Sequence, residues 1–169
     1  MESVVWGLRE DENPGGTVMH LYLVRHGEAK SEQEDPECPL SNRGREAVDR
    51  VSRAAAKKGM AASWIFHSDK LRAKQTAEIL ARNIPSEGIC EIKGLRPEDD
   101  PSLTKAALEA SGRSLIVVGH LPHLNRLAAM LLNGNSSGQV IDFPTACVVC
   151  LSRRKQDWKV NWTMDPAGA

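Results

Sequence analysis

The chain has 169 residues, 41% of them hydrophobic and 26% charged, with 22 basic side chains balanced by 22 acidic ones. That length fits one domain with a sizeable core, and the zero formal charge argues against a nonspecific nucleic-acid binder, which carries a basic excess. No apolar run approaches the roughly 20 residues of a membrane span, and the opening MESVVWGLREDENPGG lacks the basic-then-apolar order of a secretory leader, so a cytoplasmic protein with no membrane partner is expected.

Residues 1–17 mix charges with Asn13-Pro14 and Gly15-Gly16, which predicts a flexible N-terminal extension with one candidate anchor at Val4 to Trp6, followed by a domain over 18–169. VMHLYLV, bounded by Gly16 and Gly27, reads as a buried strand. After the acidic loop SEQEDPECP, Ser41 or Asn42 can cap a helix running to about Lys58, with Ala47, Val51, Ala54 and Ala55 on one face and Gly59 as its stop. SWIFHS is a second strand, Ser68 the expected cap of a helix over DKLRAKQTAEILARN, and GICEIK a third strand. SLTKAALEA is a short helix, and SLIVVG an apolar run suited to the middle of a sheet covered on both faces. PHLNRLAAMLL makes a helix with Pro122 in its first turn. TACVVCLS and WKVNWT flank RRKQD and predict a β-hairpin with a longer, solvated loop.

Strands alternating with helices imply an α/β protein, a three-layer α/β/α sandwich with a mostly parallel mixed sheet closed by an antiparallel hairpin. Ligands of such sheets sit outside the carboxyl ends of the strands. That rule selects RHG after the first strand, HSDKLR after the second and GHLPH after the central one.

Those ends hold Arg25, His26, Arg72 and His120. Two guanidiniums offer planar forks that fit phosphate or carboxylate oxygens and keep their charge. Two imidazoles can serve as nucleophile, acid, base or donor near neutrality. A tetrahedral phosphoryl group satisfies all four. Gly27 clears a side chain where a ligand would meet the backbone, and Leu121 with its neighbours can offer amides at a helix start.

The other reactive-looking residues read as structural. Cys147 and Cys150 form a CVVC that resembles a redox or metal motif, but on a strand residues three apart face opposite ways, so both are expected to be apolar filler. His123 follows His120 by three with no carboxylate or thiol at matching spacing, and no metal site is expected. Whether His67 or His123 lines the site stays open at this level.

LYLVRHGEA, LSNRGREA, HSDKLRAKQTAEIL and LIVVGHLPHL, in this order and spacing, resemble the histidine phosphatase (phosphoglycerate mutase-like) superfamily; the short length, the HLP and the closing VNWTMDP resemble its SixA-like phosphohistidine phosphatase branch. The resemblance spans about His20 to Pro166. It implies a phosphoglycerate mutase-like fold and a phosphatase that needs no metal or other cofactor. His26 would be the nucleophile, forming a transient phosphohistidine that water hydrolyses; Arg25 and Arg72 would clamp the phosphate, and His120 would donate to it. Because His26 must be neutral to attack, activity should fall on acidification.

Two departures from the family pattern stand out: Ser68-Asp69 replaces the Ser-Pro of many members, and Glu32 stands where many mutase-like members carry Asn. An acid at the latter position disfavours a highly anionic small substrate. For the general acid, Glu28 beside the nucleophile is the first choice, with Glu98, Asp99 and Asp100 as alternatives. The expected substrate is phosphohistidine on a signalling protein, a histidine phosphotransfer domain. The alternatives are a small-molecule phosphate ester, or phosphate binding without turnover in a regulatory module.

Overall fold

The computed structural model describes residues 18–169, so the expected extension over 1–17 and its Val4–Trp6 anchor lie outside the described residues. The elements follow in the order β1 (Met19–Arg25), α1 (Asn42–Lys57), β2 (Trp64–His67), α2 (Leu71–Asn83), β3 (Gly88–Glu91), α3 (Pro101–Ser111), β4 (Leu115–Gly119), α4 (His123–Asn133), β5 (Val148–Arg154) and β6 (Asp157–Met164). They form one six-stranded sheet, ordered β3-β2-β4-β1-β5-β6. The β1–β4, β2–β4 and β2–β3 pairs are parallel, whereas β5 and β6 add antiparallel.

Alternation along each strand divides the core between the sheet's two faces. Leu21 and Leu23 of β1 point to the face covered by α3 and α4, where Leu108, Leu124 and Leu127 pack; Tyr22 and Val24 point to the face covered by α1 and α2, with Val51, Ala55, Ala77 and Leu80. Burial on both faces explains why β1 and β4 read as unbroken apolar runs. Cys147 joins the first cluster and Cys150 the second, both as free thiols, as expected for filler in CVVC.

The helix ends follow local chemistry. Ser41 caps α1 by accepting from the Gly44 amide at 2.9 Å, a contact worth about 1 kcal/mol. Asp100 caps α3 through Ser102 N at 2.9 Å, with Pro101 just inside and Gly112 (φ 62°) closing the helix.

Three local expectations are corrected. Ser68 does not cap α2: Lys70 holds that position with no side-chain cap bond, and the Ser68 hydroxyl, two residues earlier, bonds His120 Nε2 and the Lys70 amide instead. The β5–β6 loop is shorter than expected, since Arg154 already pairs with Asp157 and Lys155 takes the turn's φ of 56°. Pro122 precedes α4 as its cap residue instead of lying in the first turn.

Sheet register places the site. Arg25 pairs with Gly119 and His67 with Val118, so β1, β2 and β4 end at one level. The loops carrying His26, Ser68 and His120 leave from that level, and the backbone ties them there: His26 N donates to Gly119 O at 3.2 Å and Ser68 N to Val118 O at 3.4 Å.

Candidate active site

His26 is the centre of the site. Its Nδ1 lies 2.7 Å from the Gly27 carbonyl, an oxygen that can only accept, so Nδ1 carries the proton and Nε2 keeps its lone pair. Toward that lone pair, Arg72 directs Nε–H at 3.3 Å. Burial lowers the His26 pKa to about 4; the nearby Arg72 and Arg25 guanidiniums add to the fall, and the Gly27 carbonyl opposes it. At neutral pH the ring is uncharged, with a bare nitrogen beside a fixed cation.

Arg72 reaches this position from the second residue of α2, its side chain leaning back over the helix start. Thr76, one turn on and fully buried, donates to Arg72 O at 2.8 Å and accepts from Gly27 N at 3.1 Å, pinning the helix to the RHG turn. The sequence reading missed Thr76, although the four-residue spacing from Arg72 places both on one helical face.

Arg25 is held by a segment the sequence reading also passed over. Its Nη1 donates to the Phe143 carbonyl at 2.7 Å, and Ala146 N bonds both Arg25 O and His26 O at 3.1 Å. Ala146 sits at φ 63°, a costly conformation for a residue with a Cβ. No motif marks this loop, whose role comes from contact across more than a hundred residues of chain.

His120, 2% exposed, packs its ring 4.9 Å from that of His26, tilted by 54°. Its Nε2 is 2.6 Å from the Ser68 hydroxyl, which also accepts from Lys70 N at 3.3 Å. Its Nδ1 is buried without a partner among the described residues. Burial depresses its pKa to about 3, followed by His26, Arg72, Lys70 and His123. Ser68, read from sequence only as a helix cap, is therefore part of the site.

The remaining expected residues fall less centrally. A Cβ on Gly27 would lie 2.7 Å from Val48 Cγ2 and 3.0 Å from Gly44 O, so the close packing of α1 requires the glycine. Gly44 abuts the same turn still more tightly, its notional Cβ only 2.0 Å from Glu28 O. Glu28 is exposed, and its carboxylate accepts from the Ser41 hydroxyl at 2.8 Å. It bonds none of the four central side chains. Leu121 is half-buried beside His120, and no backbone bond among the described residues uses its amide. His67 is buried, with Nδ1 donating to Ser68 O at 2.8 Å. His123 is wholly buried with neither ring nitrogen bonded among the described residues. Of the alternative acids, Asp99 accepts from Arg96 N at 2.9 Å, Asp100 caps α3, and Glu98 lies 3.9 Å from Arg126.

The family model for the histidine phosphatase superfamily (branch 1) matches residues 21–96, the stretch that carries His26 and Arg72. An uncharacterised protein of Picosynechococcus sp. is 33% identical over 125 residues, covering 70% of this chain and 76% of its own. The chain belongs to the histidine phosphatase superfamily. Among solved structures of this superfamily, the protein histidine phosphatase SixA complexed with tungstate superposes with a TM-score of 0.79 at 25% identity, over 88% of this chain and 98% of that one. The alpha-ribazole phosphatase from Shigella flexneri shares the fold at 15% identity, with a TM-score of 0.70 over 88% and 97% of the two chains. Within the histidine phosphatase superfamily the chain is SixA-like, with the phosphoglycerate mutase-like fold expected of it, and it is a phosphatase. No helix among the described residues is long and apolar enough to cross a membrane.

Proposed function

We propose that the chain is a cytoplasmic phosphohistidine phosphatase that acts through a covalent phosphohistidine on His26 and takes its phosphoryl group from a signalling protein, a histidine phosphotransfer domain. The observation that carries this reading is the His26 tautomer, fixed by the Gly27 carbonyl so that Nε2 is the free nucleophile.

In the first step Nε2 attacks phosphorus, the new N–P bond forms, and the bond to the leaving group breaks. The proton stays on Nδ1, hydrogen-bonded to Gly27 O, which stabilises the charge appearing on the ring. Arg25 and Arg72 hold the equatorial oxygens, where charge develops. In this reading the Ser68 hydroxyl donates to His120 Nε2, which puts the ring proton on Nδ1, an atom without a partner among the described residues, for donation to a phosphoryl oxygen. Water in the second step attacks the phosphorus of phospho-His26, releasing inorganic phosphate and the neutral imidazole.

Substrate class follows from proton supply. Glu28, proposed as the acid, is tied to Ser41, and no other carboxylate bonds to the four central side chains among the described residues. An alkoxide leaving group needs a proton delivered, whereas an imidazole leaves phosphorus readily without strong help. The arrangement therefore favours a phosphoramidate. A small phosphate ester is the second reading, supported by the fold shared with the Shigella flexneri alpha-ribazole phosphatase.

The test is turnover of a phosphohistidine protein against an alkyl phosphate ester, glycerol 2-phosphate, whose alkoxide leaving group needs a proton. The phosphohistidine protein should be the better substrate in kcat/KM, and His26→Ala should abolish both activities. Glu28→Gln should lower ester hydrolysis more than phosphoramidate hydrolysis. An ester preference, or 32P never appearing on His26 in rapid-quench turnover, would overturn the reading.

A further inference from the structure

A cleft of about 450 Å³ opens next to Ser68, walled by the β2–α2 loop, the end of β3, the β3–α3 loop and the first turn of α3. Ser68 belongs to both the cleft and the catalytic site: it lines the cleft, and its hydroxyl holds His120. Whatever fills the cleft is thus one residue away from the catalytic imidazole.

Its chemistry is the reverse of the phosphate site. Asp69, Glu91, Asp99 and Asp100 outnumber Lys93 and Arg96 in the lining. Arg96 is bound to Asp69, with Nε 3.1 Å from both carboxylate oxygens, so its charge is already matched. Glu91 is exposed and its carboxylate forms no ion pair among the described residues. Beside these acids stands Leu103, 71% exposed, the more open of the two exposed large apolar side chains among the described residues. His123 lies behind the wall, wholly buried and close to Gly94, Asp99, Arg126 and Asp100.

A free phosphate or a simple phosphate ester gains nothing from an acidic neighbour, which repels it. A polypeptide that carries its phosphoryl group next to a basic and an apolar side chain is matched on every count. We infer that this cleft docks the segment flanking the phosphorylated histidine of a protein substrate, with a lysine or arginine facing Glu91 and Asp99 and an apolar residue covering Leu103. The inference rests on the phosphohistidine reading above and adds which surface selects the protein. Charge complementarity and the shared residue Ser68, which lines the cleft and bonds His120, support it.

Two phosphohistidine peptides of equal length test it, one with lysine and leucine flanking the phosphohistidine and the other with alanine there, alongside free phosphohistidine. The unaltered protein should prefer the lysine–leucine peptide roughly tenfold in kcat/KM, the scale of one exposed ion pair and one apolar contact together. Glu91→Lys with Leu103→Ser should erase that preference, and free phosphohistidine should be turned over as before. No preference in the unaltered protein, a preference that survives both substitutions, or an equal loss on all three substrates would overturn the docking role. Failure of the catalytic reading looks different: none of the phosphohistidine substrates is hydrolysed while glycerol 2-phosphate is, and the docking role falls with it.

Discussion

Acidification separates the His26 environment described here from an ordinary surface histidine. With a pKa of about 4, about 90% of the rings are neutral at pH 5, against roughly 3% for an unperturbed histidine at 6.5. The nucleophile-limited rate at pH 5 should therefore exceed that of an unperturbed site about 30-fold. Stability moves with the same proton. Between about pH 4 and 6.5 the unfolded ring is protonated and the folded ring is not, so the folded state loses stability as pH falls through that window. The full loss from His26 approaches about 3 kcal/mol. Long-range proton–nitrogen NMR correlation of the imidazoles reads tautomer and titration together: neutral His26 should carry its proton on Nδ1, with a midpoint near pH 4. Arg72→Gln should raise that midpoint yet leave it below 6.5, because burial is the larger cause. A midpoint of 6.5 in the unaltered protein, or a proton on Nε2, would refute the argument.

Arg72→Lys keeps the charge but loses the planar fork beside His26 Nε2, and kcat/KM should fall about 10²- to 10³-fold with the thermal midpoint unchanged. Ser68→Ala removes the partner of a buried imidazole nitrogen, which costs about 1–3 kcal/mol; NMR should show His120 with mixed tautomers and kinetics a lower kcat. Gly44→Ala forces a methyl against the Glu28 carbonyl, and urea unfolding should show a loss of about 1–3 kcal/mol or more. An unchanged midpoint there would mean that the RHG turn yields to α1.

The order of elements was legible in the chain because each is set by local periodicity and caps. β4 is apolar without a break since both its faces are covered, and α1 begins where Ser41 can meet the Gly44 amide. The strand-end rule then picked out Arg25, His26, Arg72 and His120, since a parallel sheet sends its carboxyl ends to one edge. Four ordered motifs were enough for family membership.

What the sequence could not carry was any contact whose partner lies far along the chain. Ser68 looked like a cap because its neighbours are helical; only the alignment of β2 with β4 delivers His120 to its hydroxyl. Gly27 read as a site for ligand approach, and nothing in the local sequence signalled that the packing of α1 also requires a glycine there. Phe143 and Ala146 have no local signature at all, yet they hold Arg25 and His26 in place. Identity and spacing determined which chemical groups the protein has; the fold decided which nitrogen of His26 is free, because that depends on the carbonyl oxygen placed opposite it.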